Sequence, residues 1–213
     1  MNVDQIYRVV KLSPERPMKN LELILQNIAK HISLTEEEKR LFTGMLEARH
    51  LKKKDVILKQ GEVCKYSTFI VDGALKGFTV GKDGSEHVIN FALKDWWIAD
   101  MYSLISQQPG MLTIEAIADS EVLLLSKQDQ LLLYEKVPKF ERFFRILVEN
   151  SLVASQQRLI NNLSLTAEER YRFFMKKYPF ILECAPLHSI ASYLGITPEF
   201  LSKIRRRMAG KLK

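Results

Sequence analysis

PLHSIASYLGITPEFLSKIRRRMAGKLK, residues 186–213, reads as two short helices around a tight turn. Ile190, Ala191 and Leu194 share one helical face, and the small Ala191 lets another helix approach closely. Gly195 follows where a helix ends and the backbone needs a positive φ. Thr197 has the chemistry of an N-cap, and Pro198 stands at the first helical position, where its missing N–H is harmless. Leu201, Ile204 and Met208 then form an inward stripe, while Glu199, Ser202, Lys203 and Arg206 point the other way. Such a pair is a helix-turn-helix, whose second helix enters the major groove of DNA with its N-terminal residues against base edges. Residues 196–213 hold Lys203, Arg205, Arg206, Arg207, Lys211 and Lys213 against the single acid Glu199, a net +5 out of the chain's formal +7. Charge so concentrated is an electrostatic footprint for phosphate. The same spacing also fits an ordinary solvated helical hairpin with a basic tail.

The whole chain sets the bounds. At 213 residues and 46% hydrophobic content it can bury a sizeable core, as one larger and one smaller domain. No apolar run approaches the roughly 20 residues needed to span a bilayer. The opening residues, MNVDQIYRVVKLSPERP, lack the apolar centre of a secretory signal. Cys64 and Cys184 form no CxxC pair, which suggests a reducing compartment without disulfides. His31, His50, His87 and His188 show no metal-ligand spacing. The expectation is a soluble cytoplasmic protein with no membrane association, no metal and no cofactor.

Residues 1–20 form an extension of unassigned role. Leu21, Ile24, Leu25 and Ile28 predict a first helix, and Thr35-Glu-Glu-Glu38 is a capping box that opens a second, running to about Leu46. The character changes at Leu51. Between Gly61 and Gly110 lie six of the nine glycines, separated by runs rich in Val, Ile, Phe and Thr. Strands are predicted at 68–71, 74–80, 87–91, 113–117 and 121–125, with turns at Asp72-Gly73 and Lys82-Asp-Gly-Ser85. This spacing suggests a small antiparallel roll or barrel. Ser126 with Asp129 opens a helix, and Pro138 restarts the chain into one that runs unbroken by Pro or Gly to about Leu163. Phe144, Val148, Leu152, Ser155 and Leu159 follow at i+3 or i+4 along one face. That face could pack on the roll, but its length favours pairing with a twin across a two-fold axis. A second capping box, Thr166-Ala-Glu-Glu169, opens a helix whose Tyr171, Phe174 and Met175 would floor the helix-turn-helix.

Strand roll, long helix and helix-turn-helix in that order resemble the cyclic-nucleotide-receptor transcription factors of bacteria, the Crp/Fnr family, over residues 24–210. Ile57-Leu-Lys-Gln-Gly-Glu62 looks like the family's lead into the roll, Phe69-Ile-Val-Asp-Gly-Ala-Leu75 like its central strand and turn, and Leu123-Leu-Leu-Ser-Lys-Gln-Asp129 like its exit into helix. Gly195-Ile-Thr-Pro-Glu-Phe-Leu-Ser-Lys203 resembles its recognition helix. The resemblance implies an α+β fold in four parts: the extension 1–20, a cyclic-nucleotide-binding-like β-roll with flanking helices over 21–137, a dimerisation helix over 138–163, and a helix-turn-helix domain over 164–213.

The departures carry information. Members of the family that bind cyclic AMP hold its ribose with a Glu and its phosphate with an Arg and a hydroxyl. The matching positions here read Asp100, Gly110 and Met111, flanked by Met101 and Leu112, and no Lys or Arg lies between Asp95 and Ser126. A buried phosphate without a guanidinium would go uncompensated, so cyclic AMP in the usual mode is not expected. Trp97, Asp100, Met101, Gly110, Met111 and Leu112, with Ser155 and Gln156 from the long helix, are candidates to line a pocket for another small effector, or are plain core. Two cysteines cannot supply an iron–sulfur cluster, and His87 or Cys64 as haem ligands lack further support. In the recognition helix Pro198 replaces a frequent Arg. Glu199 suits cytosine N4, Lys203 and Arg206 suit bases or phosphates, Arg205 and Arg207 suit phosphates, and Thr197, Pro198 and Ser202 are further candidate DNA contacts. His188 and Ser189 could contact the DNA backbone. The family's β-wing is expected to be missing, which would throw affinity onto Arg and Lys.

The reading is a homodimeric transcriptional regulator of near-palindromic promoter DNA, a possible partner of RNA polymerase, and not an enzyme. The alternative is a cyclic-nucleotide-fold module that acts through protein partners without touching DNA.

Overall fold

The structure, a computed structural model, describes residues 19–210. Residues 1–18 of the expected extension and the terminal Lys211 and Lys213 lie outside the described residues. Two helices lead in, α1 (Lys19–Ala29) and α2 (Glu36–Gly44). The capping box forms as read: the Glu38 amide donates to Thr35 Oγ1 at 3.3 Å, and the Thr35 amide donates to Glu38 Oε2 at 2.7 Å.

Eight strands follow, β1 (Leu46–Leu51), β2 (Val56–Leu58), β3 (Tyr66–Asp72), β4 (Ala74–Val80), β5 (Glu86–Leu93), β6 (Trp97–Ile98), β7 (Thr113–Ala116) and β8 (Ser120–Ser126). They form two four-stranded antiparallel sheets, ordered β1-β8-β3-β6 and β2-β7-β4-β5. Between the sheets lie Leu58, Ile70, Leu75, Ile114, Val122 and Leu124. Strands β3 and β8 are buried on both faces, because Phe69, Val71, Leu123 and Leu125 pack outward against helices. Their continuous apolar runs, rather than alternation, record that double burial.

Gly73 makes the β3–β4 turn at φ +84°. A Cβ there would come within 2.3 Å of Ser120 Oγ and 2.5 Å of the Asp119 carbonyl oxygen. Ser120 Oγ in turn accepts the Ala74 amide at 3.1 Å. Glycine is therefore required for conformation and for space together.

After β6 comes the short α3 (Met101–Ser106), and after β8 the helices α4 (Lys127–Lys136) and α5 (Lys139–Ser164). Helix α5 has 26 residues. Its first turns bury Phe140, Phe143 and Phe144 with Ile24, Ile28 and Phe42 on the outer face of the first sheet. Beyond that, Val148, Leu152, Val153, Leu159, Ile160 and Leu163 stand exposed. The chain ends in α6 (Ala167–Lys177), α7 (Ile181–Cys184), α8 (Leu187–Leu194) and α9 (Pro198–Gly210).

These last helices do not hang free of the roll. Helix α8 lies on β5, the outermost strand of its sheet. The Val88 amide donates to Ser192 Oγ at 2.9 Å, and Ser192 Oγ donates to the Glu86 carbonyl at 2.7 Å. Phe91 of β5 sits among Phe174, Tyr178 and Tyr193, at ring centroids 5.9, 5.7 and 5.6 Å away. Arg158 of α5 closes the junction. Its Nη2 donates to the Val88 carbonyl at 3.0 Å and the Tyr193 carbonyl at 2.9 Å, its Nη1 donates to the Ile89 carbonyl, and its guanidinium lies 4.0 Å from the Tyr193 ring centroid.

Gly84 has a similar φ, +82°, but open space around it. Gly73→Ala is expected to lower unfolding free energy by about 3 kcal/mol, combining backbone strain with a clash, and Gly84→Ala by only about 1 kcal/mol. Urea denaturation of the two variants checks the difference; equal losses would mean that the contact with Ser120 is not a constraint.

Candidate functional site

The expected helix-turn-helix corresponds to α8 and α9. Gly195 ends α8 at φ +66°, with its amide donating to the Ala191 and Ser192 carbonyls. Thr197 Oγ1 then accepts the Phe200 amide at 3.2 Å, which caps α9 where Pro198 needs no partner. Leu201 and Ile204 are buried against Ile190, Ala191 and Leu194. That packing turns Pro198, Glu199, Lys203, Arg206 and Arg207 to solvent on one surface, with Arg205 half-buried beside them. Ser202 Oγ donates back to the Pro198 carbonyl at 2.9 Å. The Glu199 carboxyl is held below the usual carboxylate range, chiefly by its own amide and then by the Thr197 hydroxyl. Arg207 also approaches the half-buried Glu168 at 3.8 Å, a long pair that adds little stability and leaves the exposed guanidinium available.

Two placements differ from the sequence reading. His188 is exposed at the start of α8, but Ser189 is fully buried and its hydroxyl has no hydrogen-bond partner. Ser189 sits one position before Ile190 on the face that packs into the motif, so it cannot reach a phosphate. Phe200, which the sequence reading passed over, is 44% exposed among the polar residues of α9. An apolar residue left in water on a charged face was the available signal.

The second candidate region surrounds Asp100. This carboxylate is buried, and it caps α3 by accepting the Ser103 amide at 3.1 Å. Its other oxygen accepts the amides of Met111 at 2.8 Å and Leu112 at 2.9 Å. Gly110 exchanges backbone hydrogen bonds with the Gly61–Glu62 turn, and a Cβ on it would stand 2.7 Å from Asp100 Oδ2. The loop is therefore closed on its own carboxylate. A larger residue at 110 and Asp100 in this position exclude one another.

Residues 48–136 match the family model of the cyclic nucleotide-binding domain. No curated protein sequence matches the chain. Among solved structures, FixK2 from Bradyrhizobium japonicum superposes with a TM-score of 0.68 at 20% identity, over 78% of this chain and 85% of that one. The c-di-GMP responsive regulator CLP of Xanthomonas campestris gives 0.63 at 11% identity, over 83% and 93%. The catabolite activator protein of Thermus thermophilus gives 0.52 at 19% identity, over 84% and 85%. The chain thus shares their mixed α+β fold, an antiparallel nucleotide-binding roll followed by a helical C-terminal part.

The other predicted pocket residues scatter. Trp97 lies outside the roll: its ring packs on Phe69, Phe143 and Phe144, and its Nε1 donates to Asn27 Oδ1 at 3.2 Å. Met101 and Met111 are exposed, Leu112 is half-buried, and Ser155 and Gln156 are exposed on α5. Phe144 likewise belongs to the roll's outer core rather than to the free face of α5, because Trp97 and Tyr134 enclose its ring. A cleft of about 480 Å³ opens elsewhere, at the end of the roll beside Arg49, Leu58, Cys64, Tyr66 and Thr68. Burial pushes the Cys64 thiol up, so it is not a thiolate at neutral pH. Among the described residues no cluster of His, Cys, Asp and Glu could hold a metal, and no helix is long and apolar enough to cross a membrane.

Asp100→Ala would leave the Ser103, Met111 and Leu112 amides without their acceptor. It is expected to destabilise the fold by about 3 kcal/mol, read as a lower midpoint in chemical denaturation. A loss below about 0.5 kcal/mol would mean that water replaces the carboxylate and the loop is not sealed by it.

Proposed function

We propose that the chain is a homodimeric, sequence-specific DNA-binding regulator of transcription that works without cyclic AMP. The observation that carries the reading is helix α9: a capped helix after a tight glycine turn, with Lys203, Arg206 and Arg207 exposed on one surface and its apolar stripe buried. Its N-terminal residues Thr197, Pro198 and Glu199 are the ones that meet base edges, and Glu199 accepts from cytosine N4. Phe200 adds an apolar contact of the kind made with a thymine methyl group. Lys203, Arg205, Arg206 and Arg207 neutralise phosphates, and His188 adds to them. The likeness to FixK2 and CLP supports this reading through the fold.

Dimerisation follows from α5. Val148, Leu152, Leu159 and Leu163 make an exposed apolar stripe at i+4 and i+7 spacing, continued by Val153 and Ile160. A second copy of the same stripe covers it and sets two α9 helices on one duplex. Independence from cyclic AMP rests on Asp100. Its carboxylate accepts the two loop amides, of Met111 and Leu112, that an anionic ligand would need. RNA polymerase is the natural downstream partner of a bound dimer.

The test is a salt series of DNA binding with the fragment upstream of the chain's own gene and a scrambled control, with and without cyclic AMP. Selective binding is expected in both conditions. Lys203→Ala with Arg206→Ala should weaken it by about 100-fold and reduce the salt slope by about two phosphate contacts. Phe200→Ala should weaken selective binding by about tenfold and leave scrambled DNA unaffected. Equal, weak binding to both fragments by the unaltered protein would overturn the reading, and binding that requires cyclic AMP would overturn its ligand independence.

A further inference from the structure

A second cleft, of about 300 Å³, opens between α5, α6 and α8, where the long helix meets the helix-turn-helix. Its charged lining is one-sided. Arg158, Arg170, Lys176 and Lys177 contribute to it, and no Asp or Glu does. Arg158 and Arg170 each keep a buried Nε with no hydrogen-bond partner. Arg170 spends one Nη1 bond on the Leu165 carbonyl, at 2.8 Å. Burial, and after it the neighbouring Arg158, hold the Lys177 amine below its usual range. The rest of the wall is aromatic and amide: Phe173, which is 53% exposed, then Phe174 and Tyr193, with Gln157, Asn161 and Asn162.

Cations without acids, beside an open ring face, are a complement for one kind of molecule. We infer that this cleft binds a small phosphorylated ligand of about mononucleotide size, its phosphate on Arg170, Lys176 and Lys177 and its planar ring on Phe173. A guanidinium pairs phosphate oxygens directly, and base–aromatic stacking supplies the sequence-tolerant remainder. The volume is at the small end for ligand sites, which excludes dinucleotides. The cleft also stays open in the proposed dimer. Ala154, Arg158 and Asn161, spaced at i+4 and i+3, face it, whereas Val148, Leu152, Leu159 and Leu163 lie on the opposite side of α5. A ligand there bridges α5 to α6 and α8 and so fixes how the helix-turn-helix is carried. That consequence rests on the regulator reading, while the binding itself does not.

Isothermal titration of the full chain with inorganic phosphate, AMP and GMP tests it, with cyclic AMP as a comparison. Both mononucleotides should bind more tightly than phosphate, with an affinity that falls as salt rises. Lys177→Gln with Lys176→Gln should cost at least about tenfold for every probe. Phe173→Ala, which removes an exposed ring and spares the core, should weaken the nucleotides about tenfold and leave phosphate unchanged. Thermal melting confirms that each variant is folded. No heat with any probe at millimolar concentration overturns the site, as does nucleotide binding that all three substitutions leave intact. DNA affinity lost in the lysine variant, with no small-ligand binding by the unaltered chain, would assign the cleft to the duplex backbone instead and also overturn it. If DNA fails to bind at all while the mononucleotides do, the regulator reading falls and the site stands.

Discussion

An edge strand must satisfy its outward amides and carbonyls somewhere, and in this fold β5 does so through α5 and the C-terminal helices. Ser192 of α8 takes both the Val88 amide and the Glu86 carbonyl, and Arg158 of α5 takes the Val88 and Ile89 carbonyls. One row of backbone groups therefore joins roll, long helix and C-terminal helices. The aromatic cluster of Phe91, Phe174, Tyr178 and Tyr193 is packed around that seam. The position of α9 relative to the roll depends on it.

The chemistry of the seam bears on how it can move. Arg158 is a half-buried guanidinium with carbonyls and the Tyr193 ring face around it, in place of a carboxylate. Burial pulls its pKa down, and Tyr193 and Tyr178 beside it pull it part of the way back. An ion pair in this place would strand a buried charge on opening, at a cost of several kcal/mol. Carbonyl bonds exchange for water at a net cost nearer about 1 kcal/mol each. A junction made this way can hold one arrangement and still release it, which suits two dispositions of the C-terminal helices.

Local chemistry made much of the fold readable. The two capping boxes, Gly73, Gly195 and the Thr197–Pro198 start each act within a few residues, so sequence alone reports them. Strand β1 escaped notice because it is an edge strand with only Leu46 and Leu51 buried, so it has no alternation to read. Helix α3, six residues long, is too short to show a period. The seam itself was invisible, since Ser192 and Arg158 look like any surface Ser and Arg until β5 is placed beneath them. In the candidate site the exposed face of α9 was legible from charge and spacing. Ser189 was misplaced because a small polar residue at a helix start reads as exposed, and Trp97 because a residue beside the Asp100 loop in sequence points to the other face of the sheet.

The same accounting explains why the proposed anion site lies away from the roll. Around Asp100 the loop amides are already paired with a carboxylate, so a phosphate there would have to displace a negative group seated among three donors. Gly110 cannot be enlarged to bring a cation without moving that carboxylate. At the cleft between α5, α6 and α8 the balance is reversed: Arg158, Arg170, Lys176 and Lys177 line the wall and no acid does. Like charges at short range repel, so this cleft gains most when an anion enters and the roll loop gains least. A small anion bound in this cleft would bridge α5 to α6 and α8, the elements that set the position of α9.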